Sequence, residues 1–534
     1  MYTFYAFTAL VAATVAHRCI PACSVMQNQQ TSLLCIPLVI GSTVAPCLLV
    51  FSTAFVILVR WHCSVCAQTN LHTGDCTRFV RFKDPANQQR YAGKRIDMET
   101  LYEMYFDEEL DFAFPAVIPN LPDSHSASIC CLLNDVLCRR NEFVHYKISL
   151  RTHLAFLLSK WIPAVLSHSK QQDMSQVRDH YDRSKYYAQK RNELDDTHTP
   201  FSSDEAEDDF FGMFLGSTMV YTSGISLETV ASANHSQQQS QQQSTRQPAP
   251  ETLEQMQDAK LRMLCRKLRL ARGETHLDIG CGWGTLANYS ASKHGTIATG
   301  VTLSRNQAAY ATAMSKKMRI KDHRTSFWCR DYRDIPTNVG VTYNKISCIE
   351  MAEHVGIQNF QKFLLQVRDL LEDDGLFLLQ IAGLRRAFQV QLLFGCTCIL
   401  ISIHLIPFVK TQQYEDLVWG MFMAKYIFPG ADASMPLNWV VGQLELAGFE
   451  VAQTDNIGIH YSITIGKWYH NWVGNRKSIV KTHGERWYRI FHFFLAWSSL
   501  IAESGAATCY QILCHKNLNT FDRRKICVPS IHMQ

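Results

Sequence analysis

Apolar positions are spread unevenly along the chain. Residues 33–59 (LLCIPLVIGSTVAPCLLVFSTAFVILV) carry no charged side chain. About 20 apolar residues cross a hydrocarbon layer as a helix, so this stretch is long enough to span a membrane, with Pro46 as a kink. Arg60 and His62 follow at once, and the positive-inside tendency then places the downstream chain on the cytosolic side. Residues 5–16 form a weaker apolar stretch ended by His17 and Arg18. It reads as the first arm of a membrane hairpin, or as a signal peptide that lacks a basic leading region.

Between these segments and residue 251 the pattern is mixed. Residues 84–176 combine charged helical stretches such as METLYEMYFDEELDF with apolar runs. They predict a mostly helical lead-in packed on the membrane side of the downstream domain; CCLLNDVLC, from Cys130, has no clear assignment. Residues 184–207 are highly charged and polar, and 232–250 (SANHSQQQSQQQSTRQPAP) are low-complexity. Such sequence cannot bury enough apolar surface to offset its ordering entropy, so both read as loops. Asn234-His-Ser has the form of a glycosylation acceptor, but a cytosolic face would leave it unmodified.

From residue 251 onward, helical and strand patterns alternate. LRMLCRKLRL, TLANYSASKH, NQAAYATAMSKKM and FQKFLLQVRDLLEDDG read as helices; THLDIG, TIATGVTL, YNKISCIE and LFLLQIAG read as buried strands. Strand–helix alternation with short connections predicts an α/β fold, a parallel sheet covered on both faces. The chain thus divides into a membrane part (1–62), a helical lead-in (63–176), a lid region with polar and Gln-rich insertions (177–250) and a catalytic domain (251–520).

Composition narrows the function only a little. The 534 residues, 47% apolar, allow a large core, and 52 basic against 47 acidic residues leave a net charge of +5. That mild balance suits work near anionic lipid head groups and lacks the concentrated basic face of a nucleic-acid binder. The 19 cysteines are scattered through a long sequence, so most are expected to be reduced and buried. Cys63 and Cys66 form a lone CxxC with no second pair at zinc-ribbon spacing; packing or palmitoylation beside a membrane span would account for it. No metal ligands are assigned.

The strongest chemical signal is Leu277-Asp278-Ile279-Gly280-Cys281-Gly282-Trp283-Gly284, a strand running into a small-residue turn and then a helix. Small residues there let the backbone approach a ligand at the carboxyl end of a strand. The run is DxGxGxG, not the GxGxxG that cradles a pyrophosphate, and Asp278 can meet a cationic amino-acid group. This points to S-adenosylmethionine. The next strand ends GVTLSRNQ with no carboxylate for ribose hydroxyls, which leaves Thr302 and Gln307 for that task and Ser304 as a helix cap. Tyr332 and Arg333, in CRDYRD, are placed to border the adenine.

LDIGCGWGTLANY, GVTLSRNQ, DYRD and MAEHVG together resemble the cyclopropane-fatty-acid synthase and mycolic-acid methyltransferase family. VRDHYDR (177–183), MVYTSGI (219–225), QYEDLVWGMFMAKYIFPGADAS (413–434), GERWYRIF (484–491) and the lead-in GKRIDMETLYEMYFD are similar to its fungal sphingolipid C-9 methyltransferases. The resemblance covers most of the chain from about residue 84. It implies a Rossmann-like class I methyltransferase domain with a mostly parallel seven-stranded sheet behind N-terminal transmembrane helices. It also implies methyl transfer to C-9 of a Δ8-unsaturated (Δ4,8-diene) sphingoid base in a ceramide, at a membrane, with the endoplasmic reticulum expected and the Golgi as the alternative. By position, Tyr221 and Thr222 would close over the cofactor, His276 and the run Leu277 to Gly284 would hold its methionine part, Thr302, Leu303, Ser304, Arg305, Asn306 and Gln307 its ribose, and Tyr332 and Arg333 its base.

An alkene is a poor nucleophile, so the methyl donor must be held close in a dry pocket. Attack leaves a carbocation, which the enzyme stabilises and deprotonates. Proton loss from the new methyl group closes a cyclopropane; loss from C-9 restores the double bond with a branch. The resemblance implies a bicarbonate base in the cyclopropane relatives, held by polar groups around the pocket. Of those positions this chain keeps Glu353 and Tyr461, and has Ser223, Gln380 and Ser498 where Cys, His and Cys are usual. Glu353, Tyr461 and Gln380 are therefore the catalytic candidates. The departures argue against cyclopropane formation and leave bicarbonate open.

Residues 390–409 (VQLLFGCTCILISIHLIPFV) lie inside the catalytic pattern, in an anomalous insertion spanning 390–412, and are apolar enough to be read as a span. A single crossing would put later strands on the opposite side of the membrane from earlier ones, so the sheet could not close. An apolar hairpin in the membrane surface or translated intron sequence would each resolve this. The competing functions are a cyclopropane-fatty-acyl-phospholipid synthase and a membrane-attached lipid-binding protein without catalysis.

Overall fold

The alternation from residue 251 onward becomes a seven-stranded sheet in the computed structural model. Its strands are β1 (Thr275–Ile279), β2 (Ile297–Thr302), β3 (Thr325–Cys329), β4 (Tyr343–Ile349), β5 (Leu371–Leu384), β6 (Phe449–Asn456) and β7 (Ala507–Lys516). They lie in the order β6-β7-β5-β4-β1-β2-β3. β7 alone runs opposite to the other six strands. The structure describes residues 74–113, 132–147, 210–230, 250–336, 340–385, 411–428 and 435–526, with positions 170, 174, 177, 178 and 181.

The sheet is sandwiched as its patterning predicts. One core cluster joins Leu277, Ile279, Ile346 and Leu379 of the sheet to Phe360, Phe363, Leu364 and Val367 of helix Ile357–Leu370. Another joins Leu376, Leu378 and Leu513 to Leu261, Leu264 and Leu268 of helix α1 (Leu253–Leu268). The Thr-Leu-Glu-Gln start of α1 forms a capping box: Gln255 N–H donates to the Thr252 hydroxyl (3.2 Å), and Thr252 N–H donates to the Gln255 side-chain oxygen (2.8 Å).

β1 stands beside β2 on one side and β4 on the other. Chain order reverses there, and the carboxyl ends of strands at such a switch point form a natural ligand crevice. The glycine-rich turn follows β1 at this place.

One expectation needs correction. The helix expected to run through LLEDDG ends at Leu370, and Leu371 already pairs with Tyr343 in the sheet. The Asp-Asp-Gly cluster favours a turn over a further helical turn. Among its described residues the lead-in carries helices Pro85–Tyr91, Met98–Phe106 and Leu132–Cys138 together with short strands: Val80–Phe82 pairs antiparallel with Leu110–Phe112, and Ile96–Asp97 pairs parallel with Val144–His145. The unassigned CCLLNDVLC run contains helix Leu132–Cys138.

The lead-in docks on helix α2 (Glu485–Glu503) near the carboxyl end of the chain. Arg489 donates to the carbonyls of Tyr105 (3.1 Å) and Leu110 (3.2 Å) and pairs with Asp111 (2.8 Å). Arg140 and Trp497 both bond Glu415. Of the described cysteines, Cys138 and Cys329 are exposed and the others buried; all are unbridged. Among the described residues no helix is long and apolar enough to cross a membrane. Segments 5–16, 33–59, 184–207 and 390–409, with Cys63, Cys66 and Asn234, lie outside the described residues, as does 232–250 apart from Pro250.

Candidate active site

Residues 219–222 form one wall of a cavity whose floor is the turn after β1, and 223–225 continue that covering segment. Two helices pin this covering segment. From α1, Met256 accepts the Ile225 N–H (3.0 Å), Gln257 donates to the Thr222 carbonyl (2.9 Å), and the Lys260 ammonium donates to the Thr222 hydroxyl (2.5 Å). From helix α3 (Gly458–Gly474), the Thr464 hydroxyl accepts the Gly224 N–H (2.9 Å) and His460 accepts the Ser226 N–H (3.1 Å).

The glycines of the turn differ in purpose. Gly280, Gly282 and Gly284 all have positive φ, which suits glycine best. A Cβ on Gly284 would come within 2.4 Å of Ala311 and 2.7 Å of Phe327, so this glycine serves packing. A Cβ on Gly282 would meet nothing within 4 Å. Its backbone faces open space in the cavity wall, as a cofactor cradle requires.

The cavity is lined by both acids and a base. Asp278 accepts a hydrogen bond from Ser347 (2.6 Å), and burial pushes its carboxyl up to about 6. Burial also raises Glu350 and lowers Lys260 to about 8. Two carboxylates against one ammonium favour a cationic ligand. Around them Tyr221 packs at 5.3 Å from Trp468, 5.4 Å from Phe214 and 5.9 Å from Phe428, while Trp283 lies 5.3 Å from Phe211. Charge complementarity and the open Gly282 backbone fit an S-adenosyl sulfonium with its amino-acid tail.

The structure brings together Tyr221, Thr222, Asp278, Gly280, Cys281, Gly282, Trp283 and Gln307 as cavity-lining residues. The other expected cofactor contacts are placed elsewhere. His276 is fully buried between Ser290 (3.0 Å) and Ser347 (2.9 Å), held neutral by burial that lowers it to about 4. Leu277 and Ile279 are core residues. Ser304 caps the helix Arg305–Lys317 through Gln307 N–H (3.1 Å), and Thr302 donates to the Gln307 side chain (2.6 Å). The Leu303 carbonyl accepts from Arg178 (3.2 Å), Arg305 is exposed and Asn306 half-buried. Arg333 is bound through two nitrogens to Asp331 (2.7 and 2.6 Å), and Tyr332 packs on Phe363.

Of the catalytic candidates, Gln380 and Glu353 are buried beside Glu350. Gln380 donates to Glu350 (2.5 Å). Glu353 accepts the Ala382 N–H (2.5 Å) through Oε1, while its Oε2 has no partner among the described residues. Burial first, and the Glu350 charge second, push Glu353 up to about 8. Tyr461 packs against Ile225 and Cys509, and burial and Glu350 raise its phenol. Ser223 gives its N–H to Glu350 (2.9 Å), whereas Ser498 accepts a hydrogen bond from Trp419 (3.1 Å).

Sequence reasoning missed Lys260, Glu350, Tyr181 and Thr285, all of which line the cavity. Lys260 had a visible signal, a lysine on the apolar stripe Met256, Ala259, Met263 of α1. Glu350 had another, the acid that ends an apolar strand next to the switch point.

Residues 198–512 match the family described as mycolic acid cyclopropane synthetase. The chain belongs to that family. Sphingolipid C9-methyltransferase 2 of Gibberella zeae is 42% identical over 446 residues, 83% of this chain and 70% of the relative. The sphingolipid C9-methyltransferase of Komagataella phaffii is 40% identical over 451 residues, 83% of this chain and 75% of that one. Among solved structures, the cyclopropane synthase MmaA2 of Mycobacterium tuberculosis aligns with a TM-score of 0.48 at 23% identity, over 64% of this chain and 98% of that one. With the family shown, the chain is an S-adenosylmethionine-dependent methyltransferase.

Proposed function

We propose that this enzyme methylates C-9 of the Δ8-unsaturated sphingoid base of a ceramide, giving a 9-methyl-branched sphingolipid. The observation that carries the reading is the cavity itself, where the rings of Tyr181, Tyr221 and Trp283 share the lining with the carboxylates of Asp278 and Glu350. An apolar chain can enter such a site, and the carboxylates and ring faces favour positive charge developing on it. The names of the similar proteins from Gibberella zeae and Komagataella phaffii, both sphingolipid C9-methyltransferases, support a sphingolipid as the substrate class. A lipid substrate suits attachment to a membrane through residues 33–59, and we place the enzyme on the endoplasmic reticulum with its catalytic domain cytosolic.

Lipid mass spectrometry of a strain lacking the gene tests this. The expected result is loss of 9-methyl sphingoid bases, restored when the gene is returned. Loss of cyclopropyl acyl chains instead would assign a cyclopropane synthase. An unchanged lipid profile, with no cofactor binding by calorimetry, would assign a lipid-binding protein.

A further inference from the structure

Glu350 follows β4 at the crevice, in a backbone conformation (φ +52°) that non-glycine residues rarely adopt. Such strain persists where surrounding contacts over-determine it, and it clusters at functional sites. The contacts are specific. Oε1 of Glu350 accepts from the Ser223 N–H (2.9 Å), from Gln380 Nε2 (2.5 Å) and from the Cys509 thiol (3.5 Å). Its own N–H donates to the Gln380 carbonyl (2.7 Å). Gln511 donates to Gln380 Oε1 (2.8 Å), which turns the nitrogen end of the Gln380 amide toward Glu350. Gln511 is in turn held by Lys267 (2.6 Å). The donors gather on Oε1, and none among the described residues goes to Oε2. The carboxylate lines the cavity, so one oxygen is anchored and the other is left for chemistry.

We propose that Glu350 is the general base of the methylation, removing the proton from the carbon that receives the methyl group. This rests on the reading of the enzyme as an alkene methylase. In the balanced step, the alkene π pair forms the new C–C bond as the C–S bond breaks toward sulfur, leaving a cation on the neighbouring carbon. Glu350 then takes the proton of the methylated carbon, and the freed C–H pair restores the double bond. The sulfonium has become a neutral thioether and the carboxylate a neutral acid, so no charge is left buried and no dissolved base is consumed.

Other groups are less suited. Asp278 is tied to Ser347 at the glycine-turn end of the cavity. Lys260 is bonded to Thr222. Glu353 does not line the cavity. A base fixed at the end of β4 also explains how one proton is chosen over another, and with it a branched alkene over a ring.

The full chain, a C-9-deuterated Δ8-unsaturated ceramide and S-adenosylmethionine test the proposal in buffer purged of carbon dioxide. Wild type should retain its full rate without bicarbonate and lose the C-9 deuterium. Glu350→Gln should be at least 100-fold slower while binding S-adenosylhomocysteine within threefold of wild type by calorimetry. Glu350→Gly relieves the backbone strain, keeping a folded protein available, and opens room for a small anion. That variant should be slow, and 50 mM formate or bicarbonate should restore at least tenfold. A wild-type rate that falls without bicarbonate, or a Glu350→Gln rate near wild type, overturns Glu350 as the base. Failure of wild type to methylate any alkene lipid, despite binding cofactor, overturns the underlying reading instead.

Discussion

The ammonium of Lys260 donates to the hydroxyl of Thr222 at 2.5 Å, tying the first helix of the catalytic domain to the segment that closes the cavity. Hydrogen bonds to charged groups are worth about 1.5–3 kcal/mol. Lys260→Met removes this one and leaves the Gln257 bond to the Thr222 carbonyl in place, so the segment should stay docked but close less firmly. We expect the affinity for S-adenosylhomocysteine to fall about tenfold, or about 1.4 kcal/mol. S-adenosylmethionine should lose less, because removing a buried cation favours its sulfonium. Titration calorimetry with both ligands checks this; equal affinities in variant and wild type would make the contact dispensable.

The turn glycines should respond in opposite ways. Gly284→Ala forces a Cβ to 2.4 Å from Ala311 at positive φ. It should destabilise the fold by about 2–4 kcal/mol, from overpacking and left-handed strain together. Gly282→Ala carries the strain alone, about 1–2 kcal/mol, because no atom lies near its new Cβ. Its methyl instead enters the space meant for ligand. Thermal unfolding should single out Gly284→Ala, and cofactor titration should single out Gly282→Ala.

How far the sequence revealed this architecture depended on whether the signal was local. β1, its glycine turn and the following helix form one contiguous string, so the turn was placed correctly and Asp278, Gly280, Cys281, Gly282 and Trp283 do line the cavity. Position in that string does not settle which way a side chain faces. Leu277 and Ile279 point into the core, and His276 is locked between two serines. Strands as short as Ile96–Asp97 and Val144–His145 carry no periodicity to detect, and their pairing joins positions almost 50 residues apart. Lys260 and Glu350 line one cavity from distant elements, and that convergence is not written in any local pattern. The acidic end of β4 was readable; its partners Ser223, Gln380 and Cys509 needed the fold.

Glu353 is nearly fully buried, has one oxygen without a partner among the described residues, and is pushed up to about 8 by burial and by Glu350. It is therefore mostly the neutral acid at pH 7. Glu353→Gln replaces one neutral polar group with another, and the Ala382 N–H keeps an acceptor. Stability should change by less than about 1 kcal/mol, within the range of conservative substitutions. Turnover should fall by only about tenfold, or about 1.4 kcal/mol, because Glu353 does not line the cavity and reaches the reaction only through its neighbour Glu350, with cofactor affinity unchanged. Unaltered turnover would remove Glu353 from the reaction.

His492 links stability to pH. Its ring nitrogens meet the hydroxyls of Tyr105 (2.8 Å) and Tyr469 (3.0 Å), and Tyr488 stacks on it. Burial first, then the charges of Arg489 and Arg476, lower its pKa from 6.5 to about 3. The unfolded chain therefore binds a proton below pH 6.5 that the folded chain refuses until about pH 3. Stability is full above 6.5 and is lost as pH falls through this window. At pH 5 the loss is about 2 kcal/mol, taking about 1.4 kcal/mol per pH unit. His276, lowered to about 4 by burial, adds to the same slope. His492→Phe should be less stable at pH 7 by about 1–3 kcal/mol, because two tyrosine hydroxyls lose their partner. Its stability should nonetheless decline less steeply between pH 6.5 and 4. Denaturant titrations of both proteins at pH 7, 6 and 5 compare the slopes, and parallel curves would show that His492 takes up its proton in the folded state as readily as in the unfolded one.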